Sequence, residues 1–294
     1  KKYANPRRSE IIGATEDMDI EDLIAEERMV ITISRGGYIK RTATSLYRKQ
    51  GRGGTGKKGA EIKDEDWIEH LFVGTTHNYL LFFTNFGKAY WLKVYELPEG
   101  GRASKGRPVV NLLELEKDEQ IEAVIPVENF EEERYIAMVT RQGQIVRNAL
   151  SLYSNPRKGG IKAINIAEND ELVTVRLTNG QQEIFIATRE GMAVRFHEEE
   201  VRATGRFTQG VRAVTLEADD AVIDMEAIRP NATILTVCEF GYGKRSAIDD
   251  YRKTRRGAKG VINVKCSRRN GKVVASKEVM EDDELIMITE NGKA

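Results

Sequence analysis

Two series of glycines run in step through this 294-residue chain. The first, Gly37, Gly87, Gly143, Gly191, Gly241 and Gly292, recurs at intervals of 50, 56, 48, 50 and 51 residues. The second, Gly56, Gly106, Gly160, Gly210 and Gly260, follows its partner by 19, 19, 17, 19 and 19 residues. One phrase surrounds each member of the first series: ITISRGGYIKR, LFFTNFGKAYW, AMVTRQGQIVR, FIATREGMAVR, LTVCEFGYGKR and IMITENGKA. A short apolar or β-branched run, a glycine turn and a second run make a β-hairpin, whose tight turn needs positive φ. Each second glycine opens another strand, as in GRPVVNLL, GIKAINI, GVRAVTL and GVINVKC. An acidic turn then leads to a further strand, as in DEQIEAVIPV, NDELVTVRL and DDAVIDMEAI.

A unit is therefore about 50 residues with four strands, and helical periodicity is nearly absent. Four-stranded units at this period predict an all-β, six-bladed, propeller-like toroid. The sixth unit reaches Ala294 just after its hairpin turn, so it is expected to be truncated or completed by an earlier segment. Residues 1–18 read as a linker or tail, and 19–294 as the repeat domain. Within it, DIEDLIAEER at 19–28 is expected to be the strand that opens unit one.

The chain is 40% apolar and 31% charged, ordinary for a globular domain. No run approaches the length of a membrane span, and KKYANPRRSE lacks the apolar core of a signal peptide. Cys238 and Cys266 stand 28 apart, in no metal-ligand spacing, which suits a reduced, cytoplasmic setting. His70, His77 and His197 have no partners at metal or triad spacing and read as structural or surface residues.

The 46 basic and 46 acidic residues sum to zero but are segregated. Ser34 to Ala60 carries eight Lys/Arg and no acid, Arg141 to Ala163 five and none, and Glu239 to Gly260 seven against three. Nine acids lie between Glu114 and Glu133. Stacked around a ring, the basic stretches are expected to form a band on the rim, the footprint of a nucleic-acid binder. The excess is weaker in units two and four.

The loop KQGRGGTGKKGA, residues 49–60, nearly fits a P-loop, but Lys58 stands where the magnesium-binding hydroxyl belongs. It lies between antiparallel strands, and GGRASKGRP, NPRKGGIK, GRFTQGVR and RRGAKG hold the same place in the other units. A nucleotide site in five copies is not expected. Glycines that open the backbone to phosphate, flanked by cations and repeated around a rim, suit the DNA backbone instead.

QGRGGTG, with EDLIAEERMVITISRGGYIKR, LKVYELPEGGRASKGRPVVNLLELEKDEQI and FGYGKRSAIDDYRKTRRGAKGVINVK, resembles the C-terminal domain of DNA gyrase A over essentially the whole chain. The resemblance implies a six-bladed β-pinwheel whose blades exchange strands. Duplex DNA would wrap around its basic rim, so that the full enzyme, with gyrase B, introduces negative supercoils. It also implies that the cleaving tyrosine and the ATPase lie outside this domain, which needs no cofactor, metal or membrane. The family's signature box is close to Q-R-R-G-G-R/K-G. Gln50, Arg52, Gly53, Gly54 and Gly56 match it, whereas Gly51 and Thr55 fill two usually basic places, beside Arg48, Lys49, Lys57 and Lys58.

The backbone-binding residues expected are Arg41, Arg48, Lys49, Arg52, Lys57 and Lys58 in unit one and Arg102, Lys105 and Arg107 in unit two. Arg157, Lys158 and Lys162 follow in unit three, Arg206 and Arg212 in unit four, and Lys244, Arg245, Arg255, Arg256 and Lys259 in unit five. Arg147 and Arg195 read equally as phosphate ligands or as bridges between blades. Tyr47, Tyr95, Tyr153 and Tyr251 share one phase and are expected in the core rather than stacked on bases. The imperfect box keeps open a topoisomerase IV-type domain that selects DNA geometry without strong wrapping. A scaffold for protein partners is a more distant alternative. No paired carboxylates, Cys–His set or metal cluster marks a catalytic centre.

Overall fold

The computed structural model describes residues 20–46, 68–101, 104–130, 133–281 and 283. It contains nineteen described strands, the first nine being β1 (Arg28–Ser34), β2 (Tyr38–Ala43), β3 (Ile68–Thr75), β4 (Tyr79–Thr84), β5 (Lys88–Lys93), β6 (Arg107–Pro108), β7 (Ile121–Val127), β8 (Tyr135–Thr140) and β9 (Gln144–Ala149). Next come β10 (Ile161–Lys162), β11 (Leu172–Thr178), β12 (Glu183–Thr188), β13 (Met192–His197) and β14 (Val211–Arg212). The last are β15 (Val222–Ile228), β16 (Thr233–Cys238), β17 (Gly243–Ala247), β18 (Val261–Ile262) and β19 (Val273–Val279).

The hairpins form where the glycine phrases predict them, with Gly37, Gly87, Gly143, Gly191 and Gly241 at φ between 71° and 87°. A hydroxyl locks each of the first four turns. Ser34, Thr84, Thr140 and Thr188 accept from the backbone N–H four residues on, at 3.1–3.4 Å. The strand after the acidic turn then pairs antiparallel with the first hairpin strand, Arg28 opposite Thr75 in blade one and Tyr79 opposite Val127 in blade two. That strand ends a blade rather than opening it. The described part of 19–28 accordingly does not supply the strand expected of it; Ile20–Leu23 is a 3₁₀ turn, Arg28 is the first residue of β1, and blade one takes its inner strand from β3.

The second-glycine strands cross over. β6 pairs with β2, β10 with β5, β14 with β9 and β18 with β13, so each unit gives three strands to its own sheet and one to the preceding sheet. The exchange implied by the resemblance is thus present. Four sheets have four strands, and the fifth, β17–β16–β19, has three. The described residues hold five blades where the sequence predicts six. The outer strand of each sheet comes from the following unit, and the sixth hairpin phrase around Gly292 lies outside the described residues.

Burial explains why the first hairpin strands are apolar at nearly every position. On β4, Leu81 and Phe83 join Ile136 and Met138 of blade three, whereas Leu80 and Phe82 join Met29 and Ile31 of blade one. Alternate side chains therefore feed two separate inter-blade cores. Fully burying one such side chain contributes about 1.5–3 kcal/mol, and a one-residue slip would exchange the two sets. Inner strands β7, β11, β15 and β19 lie side by side, making a ring of small antiparallel sheets. No helix among the described residues is long and apolar enough to cross a membrane.

Candidate nucleic-acid interface

The loops before β6, β10, β14 and β18 lie on the outer edge of the preceding blade because the exchanged strand pins them there. Gly210 enters β14 at φ 80°, and a Cβ on it would stand 2.3 Å from the Ile145 carbonyl oxygen of blade three. Gly260 does the same at β18, 2.1 Å from the Ala193 oxygen of blade four. Glycine is the residue that admits this approach. Each blade also reaches into the next unit's loop. Lys40, buried on β2, donates to the Gly101 and Ser104 carbonyls at 3.1 and 2.8 Å, and the Thr42 hydroxyl donates to the Gly100 oxygen. Burial holds the Lys40 ammonium below the ordinary lysine pKa. Asn148 of blade three donates to the Thr204 and Gly205 carbonyls.

Successive loops are bonded to one another. Asn165 N–H donates to the Thr208 oxygen at 2.9 Å, and Gly257 N–H to the Ala213 oxygen at 2.7 Å. The Thr215 hydroxyl donates to the Gly257 oxygen, and the Arg256 guanidinium to the Arg212 oxygen, both at 2.7 Å. The loops of units three, four and five thereby form one continuous track.

Of the expected phosphate ligands, Lys105, Arg107, Arg157, Lys158, Lys162, Arg212, Lys244, Arg245, Arg255 and Lys259 are exposed on these loops and the adjoining hairpin. Arg206 is half-buried over the Phe207 ring, and the Lys105 ammonium sits 3.7 Å from the centre of the Tyr38 ring. Lys162 donates to Asn165 at 2.7 Å, and Lys259 pairs with Glu217 at 2.7 Å, which lowers the Glu217 pKa. Arg256 is half-buried and bonded to the Glu200 carbonyl of blade four and to the Arg212 carbonyl on the exchanged β14. Arg48, Lys49, Lys57, Lys58, Arg102 and the whole box, Gln50, Gly51, Arg52, Gly53, Gly54, Thr55 and Gly56, lie outside the described residues.

Arg41 has a different position from the loop cations. Its side chain is 16% exposed, donates to the Leu97 carbonyl at 3.0 Å and pairs with Glu99 of the next unit. Cross-strand register explains this, since Arg41, Trp91, Arg147, Arg195 and Arg245 occupy one equivalent place on the second hairpin strand. Trp91 donates to the Tyr153 carbonyl at 2.7 Å, and Arg195 to the Ile248 and Tyr251 carbonyls at 2.7 and 3.0 Å. Arg147 meets the buried Glu198 at 3.3 Å. Arg147 and Arg195 are thus bridges between blades. Arg245 remains exposed on blade five, donating to the Thr233 hydroxyl.

The tyrosine expectation holds for Tyr153 and Tyr251, both buried, with hydroxyls donating to Asn148 and Asn263. Tyr95 is half-buried, and Leu97, two residues on, fills the equivalent core place. Tyr47 lies outside the described residues.

Sequence reasoning overlooked a charge ladder on the inner strands. Arg176 of blade three holds Glu226 of blade four with two bonds of 2.8 Å and Asp224 at 3.3 Å, while Lys277 of blade five reaches Asp224 at 2.8 Å. Both carboxylates are buried. Burial alone would raise the Glu226 pKa, but the Arg176 bonds outweigh it and hold the group below the ordinary range. Burial pushes Asp224 up, with Lys277 opposing. The signal was the D-x-E spacing in VIDMEAI, which puts two carboxylates on one face of a strand. The described residues hold no group of three or more His, Cys, Asp or Glu that could bind a metal.

The same repeats are found in known proteins. A family model described as the DNA gyrase C-terminal domain, a β-propeller, matches residues 28–74, 78–128, 134–179, 182–229 and 232–276. The DNA gyrase A polypeptide of Salmonella typhimurium is 44% identical over 291 residues, covering 99% of this chain and 33% of that protein. Its Escherichia coli K12 counterpart is 43% identical over 291 residues, with the same shares. The chain spans about a third of the length of the curated relatives it matches. Among solved structures, the C-terminal domain of DNA topoisomerase IV superposes with a TM-score of 0.75 at 28% identity, covering 88% of this chain and 79% of that one. The DNA gyrase A C-terminal domain gives 0.72 at 28% identity, covering 91% and 88%. The interleaved glycines, exchanged strands and matches in all five blades place this chain in the DNA gyrase C-terminal domain family.

Proposed function

We propose that this chain binds, bends and chirally wraps duplex DNA around its rim, without base readout or catalysis of its own. It would serve within a DNA gyrase A polypeptide that works with gyrase B in the bacterial cytoplasm to introduce negative supercoils. The observation that carries the reading is the bonded succession of rim loops presenting Arg157, Lys158, Arg206, Arg212 and Arg255. None of these five has a carboxylate partner among the described residues, so their charge is available to phosphate. A curved track of cations anchored to the fold supplies backbone contacts whose energy offsets DNA bending. A second reading is supported by Gly51 and Thr55 in the box and by the likeness to the topoisomerase IV domain. In it, the domain selects DNA geometry without strong wrapping.

The test is topological. The chain is incubated with relaxed closed-circular plasmid and a type I topoisomerase, and the linking number is read after the protein is removed. A dose-dependent shift that the Gln50→Ala/Arg52→Ala variant loses supports wrapping centred on the box. Salt-sensitive binding without a linking change supports the second reading, and no salt-sensitive binding refutes both. In the same assays, Arg157→Ala/Lys158→Ala is expected to flatten the slope of log affinity against log salt by about 2, at roughly 0.9 for each phosphate no longer neutralised.

A further inference from the structure

The turn leading into each inner strand packs beside the hairpin tip of its blade. One backbone bond marks equivalent places in four blades: Asn85 to the Gln120 oxygen, Arg141 to Glu171, Arg189 to Ala221 and Glu239 to Lys272. Just before that place, blade two carries Glu116, Asp118 and Glu119, blade three Glu168 and Asp170, and blade four Glu217, Asp219 and Asp220. Blade five reads KCSRRNGK from Lys265 to Lys272, with four cations and no acid. The charge is reversed in this blade.

One of the four cations is already used, because Lys272 pairs with Glu190 of blade four. Lys265, Arg268 and Arg269 are exposed, and none has a carboxylate partner among the described residues. Arg269 is held in place, stacking 5.0 Å from the centre of the Tyr242 ring and donating to its hydroxyl at 3.1 Å. The turn also continues the rim loop. Arg255 and Lys259 precede β18, and Lys265 follows that strand by three residues. Along the corresponding path in blades two to four, a phosphate backbone leaving the rim meets carboxylates that repel it. In blade five it meets three more cations.

We propose that the Lys265–Lys272 turn is a second phosphate-binding station. It takes the backbone of duplex DNA that runs past the unit-five rim loop onto the hairpin-tip face of blade five. The inference rests on the rim-binding reading and adds where the duplex leaves the rim.

The test measures affinity against salt for a duplex of about 20 base pairs, too short to track several blades and continue onto the face, and for one of about 150. Wild type is compared with Lys265→Ala/Arg268→Ala/Arg269→Ala and with the rim variant Arg157→Ala/Lys158→Ala. The turn variant is expected to bind the short duplex as wild type does. On the long duplex its salt slope should fall by about 2 to 3, one phosphate per cation removed. Lys265→Ala/Arg268→Ala spares the Arg269–Tyr242 pairing and should give about two-thirds of that change. It decides the matter if the triple variant does not fold.

A turn variant that binds the long duplex with the wild-type slope overturns the proposal. If that variant also loses affinity for poly-glutamate, the turn belongs to an acidic protein partner. Equal weakening on both duplexes overturns the proposal too, since the turn would then be part of the first encounter with DNA. Failure of the rim reading looks different: the rim variant would match wild type on both duplexes.

Discussion

Replacing Gly210 by alanine tests the strand exchange at a single atom. Gly210 adopts φ 80°, and the added Cβ would lie 2.3 Å from the Ile145 carbonyl oxygen and 2.6 Å from the Val146 side chain. Holding an L-residue in the left-handed region costs about 1–2 kcal/mol. The Ile145 oxygen cannot retreat without loosening the pairing of Val211 with Ile145, and breaking one net hydrogen bond costs about 1 kcal/mol. The sum is about 2–3 kcal/mol, or a fall of roughly 4–12 °C in the melting midpoint of a domain this size. Gly205, in the same loop, has open space around its added Cβ and no positive φ, so Gly205→Ala should stay within about 0.5 kcal/mol of wild type. Thermal and urea unfolding measure both variants, with amide exchange on β9 to localise the damage. The reasoning is refuted if Gly210→Ala is as stable as wild type, or if the two alanines destabilise alike.

Three further outcomes follow from the inter-blade contacts. Arg176→Met leaves Asp224 and Glu226 buried with Lys277 as their remaining partner, and should cost about 3 kcal/mol at pH 7 by urea unfolding. That deficit should shrink as pH falls, because protonation in the folded state relieves the unpaired charge. In the wild type, burial would raise the Glu183 carboxyl, but Lys253 and Arg195 outweigh it and depress its pKa. The stability from this cluster is therefore present above the unfolded-chain value, about 4.3, and lost as pH falls through the lower folded value; amide exchange in β12 and β13 should quicken in that window. Tyr251→Phe removes the 2.7 Å bond to Asn263 and should cost about 1 kcal/mol while leaving DNA affinity unchanged; loss of affinity without loss of stability would refute the core role of this hydroxyl.

The glycine phases were legible because each imposes a local requirement that other residues meet poorly. A hairpin tip needs positive φ, and an exchanged strand needs close approach to a carbonyl. Strand identity was legible from the apolar runs, but sheet membership was not. GRPVVNLL looks the same whether it pairs with its own hairpin or, as β6, with β2 of the blade before. Arg41 illustrates the matching limit for the site. A cation beside a glycine turn carries no mark of whether it will meet a phosphate or the Leu97 carbonyl, and only its register with Trp91 and Arg195 decides. Tyr95 was misplaced because the chain from Gly87 reaches the core at Leu97, ten residues on, as Gly143 does at Tyr153.

Exchange of strands gives every rim loop two masters. The loop of unit four is covalently part of blade four, yet Asn148 and the β9 edge of blade three fix its position. A rotation between two blades therefore moves a cation cluster, and any DNA held there feels the inter-blade angle. The joints differ in how much charge they add to an apolar core. Between blades two and three the packing is apolar, with Leu81 and Phe83 against Ile136 and Met138, and Trp91 bonded to a carbonyl. Between four and five an apolar cluster, with Phe185 against Tyr251 and Ile234, is joined by ion pairs: Lys253 meets Glu183, Lys272 meets Glu190, Arg229 meets Glu278, and Lys277 meets Asp224 and Glu226. Apolar joints are insensitive to salt, whereas partly exposed ion pairs weaken with it. Salt thus acts twice on blades four and five, displacing the protein's cations from phosphate and loosening the joint that aims them.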